Sequence, residues 1–177
     1  MTTKIDVHIT ATDIGDDGYY AKSRDLIVTG GLSVDVGVWL RVRGRIKAGE
    51  GIEAGSGIEA GWDIKAGWGI EAGSGIKAGE GIEAGSDIKA GWGIEAGSGI
   101  KAGWDIKAGS GIEAGWGIEA GSGISAKWVG AALRIFAGLC SWRLPTEVEC
   151  EIRAEVRGGT VAHGTVVAPA SAKKGGE

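Results

Sequence analysis

A chain of 177 residues with a net charge of −4, its Lys/Arg and Asp/Glu interleaved, lacks the basic stripe that binds nucleic acid and the acidity that imitates it. Its 36 glycines stand beside only two prolines, which excludes collagen, and an Ile in every repeat together with eight Trp argues against disorder. The start Met1-Thr-Thr-Lys-Ile-Asp has no apolar signal core and no apolar run approaches about 18 residues, so a soluble, cytoplasmic protein without membrane association is expected.

Residues 1–25 fall outside any repeat and read as an N-terminal cap. Lys4 to Thr10 alternates polar and apolar like a strand, and Asp13 to Tyr20 is rich in turn formers. From Leu26 the apolar residues Leu26, Val28, Leu32, Val34, Val36, Val38, Leu40 and Val42 all occupy even positions. The same parity runs on through Ile46, Ala48, Ile52, Ala54 and every later Ile and Ala, a strand signal with one parity facing inward. Residues 26–139 are therefore read as a β-solenoid, with regular hexads over 46–128. In these the unit Ile-(Glu/Lys)-Ala-Gly-x-(Gly/Asp) repeats without insertion or deletion. The pattern decays through Ala126, Trp128, Ala132 and Leu133. Alternation resumes over Glu147–Arg157 and Thr160–Val167, so 140–168 reads as a C-terminal β cap and 169–177 as a disordered tail.

The alternations within the hexad bear on the number of residues per coil. With twelve, Glu59, Glu71, Glu83 and Glu95 form one like-charged column, and Lys65, Lys77, Lys89 and Lys101 another. With eighteen, Lys65, Glu83, Lys101 and Glu119 alternate in sign, as do Glu59, Lys77 and Glu95; Glu53–Glu71, Glu95–Glu113 and Lys89–Lys107 break the rule. At eighteen no Trp of the repeat neighbours another: Trp68, Ser86, Trp104, Ser122 is one column, Ser74, Trp92, Ser110, Trp128 the next, and Trp62, Glu80, Ser98, Trp116 the third. The favoured fold is an all-β, single-stranded β-solenoid, a triangular prism of about 18 residues and about 4.8 Å per coil, with roughly six coils and a cap at each end.

The variable place shares the parity of Ile and Ala, so its Trp is expected to point inward or to lie at an inner corner, although Glu50 and Glu80 occupy the same place. The flanking glycines, which tolerate positive φ, mark this segment as the corner.

The Gly-Ile-(Lys/Glu)-Ala-Gly-(Trp/Ser) tract, its lead-in Leu26-Ile-Val-Thr-Gly-Gly-Leu-Ser-Val and the following Leu133-Arg-Ile-Phe-Ala-Gly-Leu-Cys-Ser-Trp-Arg resemble uncharacterised bacterial hexapeptide-repeat β-solenoid proteins over residues 26–143. That resemblance implies a solenoid and no known active site. The left-handed β-helix acyltransferases and the bactofilin-type cytoskeletal polymers are similar by architecture alone.

Candidate chemistry is sparse. An acyltransferase needs a general base, and His163 is the candidate beside His8. Cys140, Cys150 and His163 match no zinc spacing, Asp13, Asp16 and Asp17 lack the spacing of a calcium loop, and the two cysteines form no disulfide framework. No metal and no cofactor is expected. The leading expectation is a non-enzymatic structural or protein-binding solenoid acting through its outer faces or caps, with a protein partner or self-association. Trp62, Trp68, Trp92, Trp104, Trp116 and Trp128 are the candidate binding residues. An acyltransferase-like enzyme and a glycan-binding solenoid using Trp are the alternatives.

Overall fold

The computed structural model describes residues 5–20, 24–139 and 146–169; Cys140 and, of the tail expected over 169–177, residues 170–177 lie outside them. The fold is an all-β parallel β-solenoid of about 8 turns with about 18 residues per turn. Each hexad is one short strand and one corner, and every third strand stacks in register. Ile52 pairs with Ile70, Ile58 with Ile76, and Ile64 with Ile82, so eighteen residues make the coil, and there are more coils than the sequence suggests.

Three faces result. Face A stacks Leu26–Val28, Ile46–Ala48, Ile64–Ala66, Ile82–Ala84, Ile100–Ala102, Gly117–Ala120 and the Arg134–Ala137 end of a long strand. Face B runs from Val7–Ile9 through Leu32–Val34, Ile52–Ala54, Ile70–Ala72, Ile88–Ala90 and Ile106–Ala108 to Ile124. Face C runs from Leu40–Val42 through Ile58–Ala60, Ile76–Ala78 and Ile94–Ala96 to Gly111–Ala114 and Val129. The Ile and Ala of each strand point in and stack like on like; Ile58, Ile64 and Ile88 are 0% exposed. Full burial of each such Ile contributes about 1.5–3 kcal/mol, so the core is a sum of nearly identical steps.

The corner glycine after Ala is there for proximity. Positive φ occurs at Gly18, Gly37, Gly138, Gly159 and Gly164 and at no described corner of the regular tract, which corrects the conformational reason inferred from sequence. A Cβ on Gly97 would sit in hard contact with the Gly79 carbonyl oxygen and 3.0 Å from its carbon, and the corner Gly67, Gly85 and Gly103 meet the preceding coil in the same way. The second glycine of the hexad meets no backbone this closely: a Cβ on Gly99 would find its nearest atom at 3.5 Å, and only Gly57 and Gly111, under the rings of Trp39 and Trp128, are crowded. This is why the first glycine never varies from Gly49 to Gly121 while the second is replaced by Asp63, Asp87 and Asp105.

Those aspartates have one structural task. Asp63 Oδ1 accepts the N–H of Gly81 at 3.2 Å, Asp87 Oδ1 that of Asp105 at 3.0 Å, and Asp105 Oδ1 that of Gly123 at 2.9 Å, each one coil onward. Asp6 does the same for Gly31 and Asp25 for Arg45, outside the regular tract.

The ends are irregular. Leu26 pairs with Ile46 and Leu32 with Ile52, steps of twenty, whereas Leu40 pairs with Ile58 at eighteen. Two extra residues therefore bulge between Val34 and Leu40, with Gly37 at φ 84°. Parity fails there: Val36 is 88% exposed and Val38 half-buried, where alternation places both inside. At the other end one continuous strand, Ile124–Ala137, wraps three faces, and Glu151–His163 covers it in parallel through several register shifts. Thr165–Val167 then pairs with Glu151–Arg153.

Candidate functional site

The tryptophans expected inside stand outside. Trp62, Trp68, Trp92, Trp104 and Trp116 are 51, 63, 68, 42 and 67% exposed, and Trp128 is half-buried. Alternation holds only along extended chain, and the strands of the regular tract from Ile46–Ala48 to Ile106–Ala108 are three residues long. The corner turn after Ala resets the phase, so the variable residue projects outward, which also explains how Glu50 and Glu80 share the position.

The eighteen-residue columns are correct although their orientation was not. Ser86 N–H donates to the Trp68 carbonyl, Trp104 to Ser86 and Ser122 to Trp104. Trp92 donates to Ser74 and Ser110 to Trp92, while Glu80 donates to Trp62, Ser98 to Glu80 and Trp116 to Ser98. The three corners thus carry Trp ridges separated by Ser or Glu, and each ridge overhangs a shallow groove along a face. Trp68 lies beside face B, Trp116 beside face A with Leu133 and Phe136, and Trp92 and Trp128 beside face C. Trp39, which the sequence reading did not single out, joins face C from the bulge. Its ring packs on Gly57 as that of Trp128 packs on Gly111, so the two rings bracket one glycine column. Guanidinium groups cover the ridge ends: Arg41 over Trp39 at 5.7 Å, Arg45 over Trp62 at 5.5 Å and Arg157 over Trp128 at 5.2 Å.

The outward charged residues form the ladders expected. Lys65 meets Glu83 at 3.4 Å, Lys77 meets Glu95 at 2.8 Å and Lys101 meets Glu119 at 3.1 Å, each one coil apart, and Arg41 meets Glu59 at 3.1 Å. The hydrogen bond and charge of Glu95 raise the Lys77 pKa above the ordinary lysine value. Like residues do stack as Glu53–Glu71, Lys89–Lys107, Glu95–Glu113 and also Lys47–Lys65. The Lys89–Lys107 step is relieved locally: Lys89 reaches Asp87 at 3.2 Å and Lys107 reaches Asp105 at 2.7 Å. The bond to Asp87 and its charge lift the Lys89 pKa.

One polar cluster was not visible in the sequence. His8 stacks on Ser33, with Nδ1 2.8 Å from Ser33 Oγ, and its Nε2 is 2.9 Å from Asp35 Oδ1. The order Ser–His–Asp matches a hydrolytic triad, but the trio is open to solvent and the neighbouring backbone donors are engaged. The N–H of Gly31 goes to Asp6, that of Asp35 to Ile9 and that of Gly37 to Ser56 Oγ. His163 has Nδ1 2.6 Å from the Ala137 carbonyl oxygen, on the covering strand Glu151–His163. Among the described residues no three His, Cys, Asp or Glu gather as metal ligands, and no helix is long and apolar enough to cross a membrane.

The site defined by these observations is a rigid three-sided surface with aromatic ridges. No family model, no curated protein and no solved structure matches the chain.

Proposed function

We propose that the chain is a non-enzymatic β-solenoid, a structural or protein-binding module that works through its outer faces. The observation that carries this reading is the display of Trp62, Trp68, Trp92, Trp104 and Trp116 on corners of a backbone that fixes their spacing. Large exposed aromatics on a rigid support are the usual anchors of an interface, and a preorganised support lowers the ordering cost of binding. The test uses the immobilised protein against a variant with Trp62, Trp68, Trp92, Trp104, Trp116 and Trp128 all changed to Ser. A partner captured from host extract by the parent and not by the variant, then bound again as a purified protein, supports the reading. Equal capture by both, or no purified binder and no self-association, refutes it.

A second reading rests on face C, where Trp92 and the bracketing Trp39 and Trp128 line one groove with Gly75, Gly93, Glu59 and Glu95. A groove lined by aromatic rings and carboxylates suits a polysaccharide chain. Titration with soluble glycans tests this by tryptophan emission; an unchanged spectrum across uronic, β-linked and α-linked glucans removes it.

A further inference from the structure

Face A joins an alternating charge column to matched corners and an apolar groove, although the sign alternation itself also runs through Arg41, Glu59, Lys77 and Glu95 on face C. The outward residues of face A over four successive coils are Lys65, Glu83, Lys101 and Glu119. Turned end over end about an axis lying along the strands, midway between the Glu83 and Lys101 coils, this column becomes its own complement. Glu83 then faces Lys101 of the second copy, and Lys65 faces Glu119. Each charge also keeps its neighbour of opposite sign within its own chain, at 3.4 Å for Lys65–Glu83 and 3.1 Å for Lys101–Glu119. The result is a checkerboard in which no two like charges adjoin.

The corners obey the same symmetry. The ridge before face A reads Trp62, Glu80, Ser98, Trp116, so the rotation sets Trp62 against Trp116 at both ends and Glu80 against Ser98 between them. The opposite ridge reads Trp68, Ser86, Trp104, Ser122, so every Trp on that rim meets a Ser and no rings collide. The groove along face A is also the most apolar of the three, with Trp116 and Leu133, 67 and 62% exposed, beside Phe136.

The other faces fall short for separate reasons. On face B the lysines Lys89 and Lys107 are already matched by Asp87 and Asp105, so Glu53 and Glu71 find no net positive counterpart. On face C the matching column Arg41, Glu59, Lys77 and Glu95 is flanked by the bulge, where Val36 is 88% exposed and Trp39 lies on Gly57, and the two-fold finds no equivalent of that bulge at the Glu95 end.

We infer that face A is the docking surface for a second copy of this chain, joined by a two-fold axis between the Glu83 and Lys101 coils. This deepens the protein-binding reading and rests on it. The interface is bounded by Arg45 at one end and Arg134 at the other, which the rotation brings to the same level as like charges. The four coils between them span about 19 Å along the solenoid, and six residues of extended chain give a width of about 20 Å. The footprint is therefore about 400 Å² per copy, about 800 Å² in total, below the range of stable interfaces and in the class of weak, transient pairs, which calls for a test at high protein concentration.

Sedimentation equilibrium from 5 to 500 µM tests this, with a Lys65→Glu/Lys101→Glu variant, a Glu83→Lys/Glu119→Lys variant and their equimolar mixture. The parent is expected to dimerise more weakly at 0.5 M than at 0.05 M salt, each variant to stay monomeric, and the mixture to dimerise at least as tightly as the parent. A Lys89→Glu/Lys107→Glu control on face B is expected to behave as the parent. If a charge-reversed chain fails to fold by circular dichroism, Trp62→Ser/Trp116→Ser replaces it and should weaken the dimer about tenfold or more. A parent that stays monomeric throughout, variants that associate like the parent, or a mixture that does not pair overturns the inference. If the monomeric parent still captures a partner through its Trp residues, the protein-binding reading survives and only the two-fold falls.

Discussion

The two glycines of one hexad respond oppositely to the same methyl group. Gly97 and Gly99 flank Ser98 on one corner, and neither has positive φ. In Gly97→Ala the new Cβ meets the Gly79 carbonyl oxygen in hard contact, with the carbonyl carbon at 3.0 Å and the Glu80 nitrogen at 3.8 Å, all backbone and unable to rotate aside. Relief requires the two coils to part at that corner. This threatens the bonds from Gly97 N–H to the Ala78 carbonyl at 3.1 Å and from Ser98 N–H to the Glu80 carbonyl at 2.9 Å. Two such bonds at about 1 kcal/mol each, plus lost packing, give a cost of about 2–4 kcal/mol. In Gly99→Ala the nearest atom lies at 3.5 Å, ordinary contact, so the smaller entropy of the unfolded chain leaves a gain of up to about 0.4–1 kcal/mol. Scanning calorimetry should place the two variants on opposite sides of the parent, with Tm lowered by roughly 5–15 °C for Gly97→Ala and unchanged or slightly raised for Gly99→Ala. Equal shifts, or a tolerated Gly97→Ala, would show that coil-to-coil proximity is not what holds the first glycine in every hexad.

Core and ridge separate in the same assay: Ile88→Ala, at a 0% exposed position, should cost about 2–5 kcal/mol, whereas Trp92→Ser, at a 68% exposed position, should stay within about 0.5 kcal/mol of the parent. At the N-terminal end, the Tyr19 N–H donated to Asp17 Oδ1, followed by the charge of Arg43, holds the Asp17 carboxyl below its ordinary range. A depressed pKa stabilises the fold above the unfolded-state value and the effect is lost as pH falls through the folded value, so hydrogen exchange around Gly18–Tyr20 should rise selectively below about pH 4. Lys77 and Lys89 carry the opposite sign: their raised pKa values stabilise below the ordinary lysine range, and that contribution should fade above about pH 10 in a Tm profile and be absent in Glu95→Gln and Asp87→Asn respectively.

The coil was legible because its evidence is relational. Lys65 against Glu83, and Trp68 against Ser86, are informative only at a spacing of eighteen, and pairing in register is what makes such spacings contacts. The orientation of Trp was not legible, because parity counts residues and a corner rotates the chain without adding to the count. Val36 was misread for the same reason, since two extra residues in the bulge shift the phase. The aspartates look like neutral variation beside glycine, and their role appears only when the N–H one coil onward is placed at hydrogen-bonding distance. The meeting of His8, Ser33 and Asp35 depends on a step of 25 residues between Val7 and Leu32, which no repeat specifies.

If the charged residues record the coil length, then the length of a deletion decides its cost. Removing residues 82–99 takes out one whole coil and creates the single new like-charged step Lys65–Lys101 on face A. Removing only residues 82–87 leaves every Ile facing inward, because the next hexad simply takes the vacated face. Every later hexad then moves to a different face. Lys65 stacks on Lys89, Glu71 on Glu95 and Lys77 on Lys101, and the opposed pairs Lys65–Glu83 and Lys77–Glu95 are lost. Directly opposed like charges cost about 0.2–1 kcal/mol each, so the two additional like-charged steps give the shorter deletion an electrostatic deficit of about 0.4–2 kcal/mol relative to the longer one, set against the smaller core it removes. The deficit is electrostatic and exposed, so it should shrink as salt rises from 0.05 to 0.5 M. A six-residue deletion whose stability relative to the eighteen-residue deletion ignores salt would mean that core stacking alone sets the coil and that the signs on the faces are incidental to it.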